Sequence, residues 1–146
     1  MSPQMLGFLM GFEVLDISGD VGLKVTGADL KELFADAGKG LYSLITDPQK
    51  IEEKKAVRVT LESHSLEGLL VSWLNELIFQ FDTYGYIGKG VEIREIEGNS
   101  MDATVTGEDF EPGRHESRLL VKAATYHGLK IEKANGLYRA DVIFDI

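Results

Sequence analysis

Two carboxylates, Asp16 and Asp20, lie in the stretch Val14-Leu15-Asp16-Ile17-Ser18-Gly19-Asp20-Val21-Gly22-Leu23. Ser18 and Gly19 between them are turn residues, which let a chain double back and bring side chains together. The sequence ends Val142-Ile143-Phe144-Asp145-Ile146, so Asp145 precedes the last residue and the α-carboxylate of Ile146 follows it. An acidic turn meeting an acidic terminus offers only oxygens. That ligand set suits hard cations such as calcium or magnesium, whereas zinc and copper prefer nitrogen and sulfur. Packing Asp16, Asp20, Asp145 and the terminus together without a cation would cost strong like-charge repulsion. The expectation is that the first turn and the last two residues meet and hold a divalent cation, calcium ahead of magnesium. The alternative for Asp16 and Asp20 is ordinary turn chemistry, with side chains accepting from backbone amides.

Other residues could support such a site. Lys122 interrupts the apolar run Leu119-Leu120-Val121-Lys122-Ala123-Ala124-Thr125-Tyr126. A lysine there either snorkels at a sheet edge or pairs with acids. His127 follows at a turn and reads as a turn residue before it reads as a base. His115, after Arg114, reads as polar loop surface, and His64 as solvent-exposed. Gly85-Tyr86-Ile87-Gly88-Lys89-Gly90 resembles a phosphate loop, but it lacks the spacing and the Ser or Thr after Lys, and it follows a helix. No Ser–His–Asp arrangement has a recognisable local signature.

These residues must be carried by regular elements. Gly11 to Asp16 and Val21 to Thr26 read as neighbouring strands, the second by its alternation of Val21, Leu23 and Val25 with Gly22, Lys24 and Thr26. Asp29, with Glu32 three residues later, starts a helix. Its apolar face is Leu30, Leu33, Phe34, Ala37, Leu41, Leu44 and Ile45, and Asp47-Pro48 ends it. Gly38 and Gly40 weaken it by roughly 1 kcal/mol each, so packing must supply the difference.

Ala56 to Glu62 is a strand, and Ser65 caps a second helix with apolar residues from Leu66 to Phe81 at three- and four-residue steps, a core-packing face. Two short runs, Val91–Ile93 and Met101–Val105, joined by Gly98-Asn99, read as strands. Gly107 to His115 reads as a polar loop. Leu119–Tyr126, Gly128–Glu132 and Leu137–Phe144 read as three more strands, with turns at His127-Gly128 and Asn135-Gly136. The result is a single compact α+β domain, largely antiparallel strands with two amphipathic helices. In the last strand Ala140, Val142, Phe144 and Ile146 share one face, so a buried face would fix the chain end.

Composition narrows the function classes. The chain has 146 residues, a size typical of one domain, and a formal net charge of −9. That charge repels phosphate backbones, so no direct nucleic-acid binding is expected; docking on a basic, nucleic-acid-handling partner is compatible with it. There are no cysteines, which excludes disulfides, thiolate–metal sites and Cys nucleophiles and is compatible with a reducing cytoplasm, the expected compartment. Met1 to Met10 lacks a basic n-region and a cleavage pattern, and reads as a variable extension rather than a signal peptide. No apolar run reaches the ~20 residues that span a bilayer, and no membrane partner is expected.

Phe12 to Gly22, Leu30-Lys31-Glu32-Leu33-Phe34, Leu69 to Ile78, Val121 to His127 and Asp145-Ile146 together resemble the archease family, in order and spacing over nearly the whole chain after Gly11. The resemblance implies a compact α+β fold. It also implies a role as protein cofactor of the tRNA-splicing RNA ligase, which joins a 3′-phosphate or cyclic-phosphate end to a 5′-hydroxyl end. Archeases promote guanylylation of that ligase and allow multiple turnover; they are not ligases themselves. By the same resemblance the metal ligands are Asp20, Asp145 and Ile146, with Lys122 as a supporting charge. Ile17-Ser18-Gly19 stands where the family has His-Thr-Ala, so any role of that His is absent here or falls to Asp16 or another residue.

Two other readings use the same residues. One is a metal-dependent hydrolase of phosphate esters with His127 or Asp16 as base. The other is a chaperone-like adaptor in which the acidic turn merely pins the C-terminus.

Overall fold

The computed structural model describes residues 11–146, so the expectation of a variable extension over residues 1–10 lies outside the described residues. The elements run β1 (Phe12–Ile17), β2 (Asp20–Gly27), α1 (Leu30–Ile45), a 3-10 turn (Pro48–Lys50), β3 (Lys55–Glu62), α2 (Leu66–Tyr84), β4 (Tyr86–Glu97), β5 (Ser100–Asp109), β6 (Ala123–Ala124), β7 (Glu132–Ala134) and β8 (Leu137–Asp145). The strands form two sheets. One has the order β1-β2-β8-β6, with β7 also on β8; the other has the order β3-β5-β4. Every pairing is antiparallel.

The helix starts follow from local chemistry. Asp29 accepts from the Glu32 N–H (2.8 Å), and Ser65 accepts from the Gly68 N–H (2.9 Å), each satisfying an orphan donor of a first turn. Helix α2 ends at Gly85, whose φ of 68° is the left-handed conformation glycine adopts without a Cβ penalty. The glycine-rich stretch after it is therefore a helix cap running into β4, not a phosphate loop.

Helix α1 lies at the centre, packed against β2 of the first sheet, β4 of the second, and α2. This explains its two interior glycines. A Cβ at Gly40 would stand 3.0 Å from Leu23 Cδ1 and 3.2 Å from Phe12 Cγ; one at Gly38 would stand 3.2 Å from Trp73 Cζ2. The propensity cost of these glycines admits a sheet on one side and an indole on the other. Trp73, fully buried, donates its Nε1–H to the Phe34 carbonyl (2.9 Å). The apolar face of α2 is core as expected, with Leu69, Leu70, Leu74, Leu77 and Ile78 buried.

Three expectations need correction. First, Gly107 to His115 is not wholly a loop: β5 continues to Asp109, and both Glu108 and His115 are buried. Second, Leu119–Tyr126 contains only the two-residue β6, because the Arg118 and Leu119 amides donate to the carbonyls of Ile45 and Leu44 rather than to a strand. Third, residues 128–132 begin as a turn at Gly128 (φ 63°), and the strand there is Glu132–Ala134.

Candidate metal centre

The β1–β2 hairpin closes through Ser18-Gly19, with Gly19 at φ 79° and Ile17 paired to Asp20. Strand β2 then pairs with β8, with Val21 opposite Phe144, Leu23 opposite Val142 and Val25 opposite Ala140. All six of these side chains are buried, and they define the inner face of the sheet. One step past the Val21–Phe144 pair stand Asp20 and Asp145. Strand alternation turns both to the outer face, where directly opposed residues have Cβ atoms roughly 5 Å apart. Like charges so placed destabilise a sheet, and a shared cation reverses that sign. The first hairpin and the last strand thus meet where the acidic residues stand.

Asp16 does not join them. It pairs with Val21 and so belongs to the inner face, where it sits exposed at the end of the hairpin, with the sheet between it and the Asp20–Asp145 pair. Asp145 is held by its backbone: the Lys122 N–H donates to its carbonyl (2.8 Å), and Ala123 pairs with it. Lys122 is exposed beside this end of β8. His127 is exposed on the turn after β6, its N–H 3.4 Å from Thr125 Oγ1; Thr125 in turn bonds the Ile143 carbonyl. That places His127 along β8 away from Asp145, in the turn role expected of it. Ile146, 39% exposed, follows Asp145.

Among the described residues no three His, Cys, Asp or Glu side chains gather as a metal-binding group. The candidate centre is thus the pair of side chains Asp20 and Asp145, with the Ile146 carboxylate as the third oxygen donor that the family resemblance implies. This all-oxygen donor set fits calcium or magnesium, with water filling the remaining positions.

A second acidic centre, unforeseen from the sequence, lies in the interior. Glu108 (2% exposed) accepts from the Glu52 N–H (2.6 Å), from Arg114 through Nη1 (3.0 Å) and Nη2, and from His115 Nε2 (3.1 Å). His115 Nδ1 accepts from the Glu111 N–H (2.8 Å), so the ring proton is on Nε2 and points at Glu108. The imidazole stacks on Phe110, which meets Phe81 edge-on. The Arg114 hydrogen bonds hold the Glu108 carboxyl well below the usual carboxylate range, helped by the Glu52 amide and His115 against desolvation. Glu108 in turn raises Arg114. A carboxylate with its oxygens so fully met is a structural pin. The signal available in the sequence was the adjacent pair Arg114-His115, two donors that follow the acids Glu108, Asp109 and Glu111 in a segment with Pro112 and Gly113.

Asp36 on α1 differs again. It is half-buried, and burial raises its pKa to about 6, with Glu32 adding and Lys39 opposing.

The family model described as "Archease protein family (MTH1598/TM1083)" matches residues 12–146. The protein archease of Sulfurisphaera tokodaii is 32% identical over 136 residues, covering 92% of this chain and 98% of the relative. That of Aeropyrum pernix is 35% identical over 133 residues, covering 88% and 92%. The solution structure of Methanobacterium thermoautotrophicum protein 1598 superposes with a TM-score of 0.79 at 36% identity, covering 94% of this chain and 99% of that one. A Thermotoga maritima crystal structure, of an archease described as a possible chaperone, gives a TM-score of 0.64 at 20% identity, covering 90% and 94%. At that identity it speaks to the fold alone.

Proposed function

Since the chain belongs to the archease family, we propose that it is a non-enzymatic activator of the tRNA-splicing RNA ligase, and that its working part is the acidic corner of Asp20, Asp145 and the Ile146 carboxylate. The observation that supports this reading is the register of β2 on β8, in which Val21 pairs with Phe144 and Asp20 and Asp145 follow one step beyond on neighbouring strands. Asp20 and Asp145 would hold the cation, and a bound cation supplies positive charge for nucleotide phosphates or for a ligase carboxylate. The protein's own part is to present those oxygens on an open sheet face, with Lys122 close by as a second positive charge. The net charge of −9 favours encounter with a basic, RNA-handling partner over RNA itself.

The test is guanylylation of the ligase with and without this protein. Wild type should raise the rate, and Asp145→Ala should abolish that gain while remaining folded. An Asp145→Ala protein as active as wild type would remove the mechanism.

A second reading is a chaperone-like adaptor that needs no metal. It predicts protection of an aggregating partner that is indifferent to both Asp145→Ala and added calcium.

A further inference from the structure

The segment between β5 and β6 connects the two sheets, and its contacts are unevenly spread. At its start lies the Glu108–Arg114–His115 pin. From Glu116 to Leu120 every residue is exposed, so this part has no core of its own. It is held instead by the end of α1. The last four carbonyls of a helix have no partner within it. Here the Tyr42 carbonyl accepts from the Thr46 N–H (2.9 Å), Ser43 from Arg118 Nη1 (2.9 Å), Leu44 from the Leu119 N–H (3.0 Å) and Ile45 from the Arg118 N–H (2.9 Å). Three of the four are thus met by the connecting segment, and the Arg118 guanidinium brings positive charge to the negative end of the helix. The segment then buries Val121 and delivers the Lys122 N–H to the Asp145 carbonyl (2.8 Å).

We infer that residues 110–122 form a strap that fixes the position of Asp145, and that Arg114 and His115, which touch neither Asp145 nor Ile146, are positioning residues for the acidic corner. The inference rests on the proposed function only for what the corner does; the strap itself is defined by its hydrogen bonds. The reasoning is mechanical. Between residues 116 and 120 the segment buries no side chain, so its path is set by its ends and by its bonds to α1. Releasing the Glu108 pin frees one end, and the cap on α1 and the bond to Asp145 are the next links. The competing arrangement is that Asn75 suffices by itself. Its side chain accepts from the Ala124 N–H (2.8 Å) and donates to the Ala124 carbonyl (3.4 Å), clamping β6 on the other side of Lys122.

Amide hydrogen exchange on the full chain distinguishes these arrangements. His115→Ala removes one donor to Glu108 and the stack on Phe110. Arg114→Gln, at a partly exposed side chain, removes the two Arg114 bonds to Glu108 and is the second variant should the first fail to fold. Trp73→Phe, which loses the bond to Phe34 far from the strap, controls for general destabilisation. The strap predicts exchange about tenfold faster at the amides of Arg118, Leu119 and Lys122 in the anchor variants, with Leu23 in β2 changed less than about twofold. In Trp73→Phe no such selectivity should appear. Faster exchange at Arg118 with Lys122 unchanged would assign Asp145 to the Asn75 clamp and overturn the inference. So would equal acceleration at Leu23.

Calcium titration separates this from the function above. His115→Ala should weaken calcium binding about three- to tenfold, while Trp73→Phe leaves it unchanged. A wild-type protein that binds no calcium but shows the selective exchange would keep the strap and remove the metal. Calcium binding without selective exchange would do the reverse.

Discussion

Glu108 and Asp145 are both acidic residues at the end of a strand, and the fold treats them in opposite ways. Glu108, next to last in β5, faces inward and accepts from Arg114, His115 and a backbone amide. Asp145, last in β8, faces outward opposite Asp20, and the ion pairs among the described residues involve other acids. A charge whose partners come from its own chain is part of the scaffold. Under the proposed function, two like charges set side by side, with their partner left to come from outside, are the binding pair. The contrast is between an acid satisfied by its own chain and the two acids to which the proposal assigns the cation.

The largest effect should come from breaking the scaffold. Glu108→Ala leaves the Arg114 guanidinium, the His115 Nε2–H and the Glu52 N–H without their acceptor, and should lower Tm by on the order of 10 °C, read by thermal unfolding. Next comes the binding pair. Excess calcium should raise the wild-type Tm by roughly 5 °C and leave Asp145→Asn within about 1 °C, since only the folded state holds the ligands together. Without calcium the sign should reverse, with Asp145→Asn slightly more stable because the opposed charges are gone.

A smaller pair of effects lies in the pH dependence. The depressed Glu108 carboxyl adds stability that is fully present above its unfolded value of about 4.3 and is lost as pH falls toward its folded value. Glu108→Gln should flatten the acid limb of a Tm-against-pH curve. Asp36, raised to about 6 by burial, has the opposite sign: its contribution is full below about 3.9 and is lost as pH rises through 6. Asp36→Asn should therefore raise Tm by a few degrees at pH 8, about 2 °C, and change little at pH 3.5. Asp16→Asn, on the inner face of the hairpin, should leave the calcium response unchanged.

Much of this was legible in the sequence because local rules and burial agree there. Asp29 and Ser65 start helices as their types require, and β2 and β8 alternate cleanly because one face is core. That alternation also placed Asp145 on the face opposite Phe144; the pairing of β2 with β8 is not written in it, and the meeting of the first turn with the last residues was expected from the acidic residue types and the family resemblance. Two kinds of residue resisted. Asp16 and Asp20 are close in sequence, but a two-residue turn puts them on opposite faces, a matter of register rather than distance. Glu108 and His115 are charged or polar and read as surface; their burial depends on Arg114 and on an amide 56 residues away, a long-range pairing no local pattern records. Leu119–Tyr126 looks like a strand for a related reason. The amides of Arg118 and Leu119 serve the end of α1, and an apolar sequence does not reveal which partner a backbone chooses.

Calorimetric titration of calcium into the full chain tests the central claim most directly. One ion per chain should bind to wild type and to Asp16→Asn, with binding lost in Asp20→Asn and in Asp145→Asn. Equal binding by wild type and Asp145→Asn, or no heat from wild type at millimolar calcium, would contradict it.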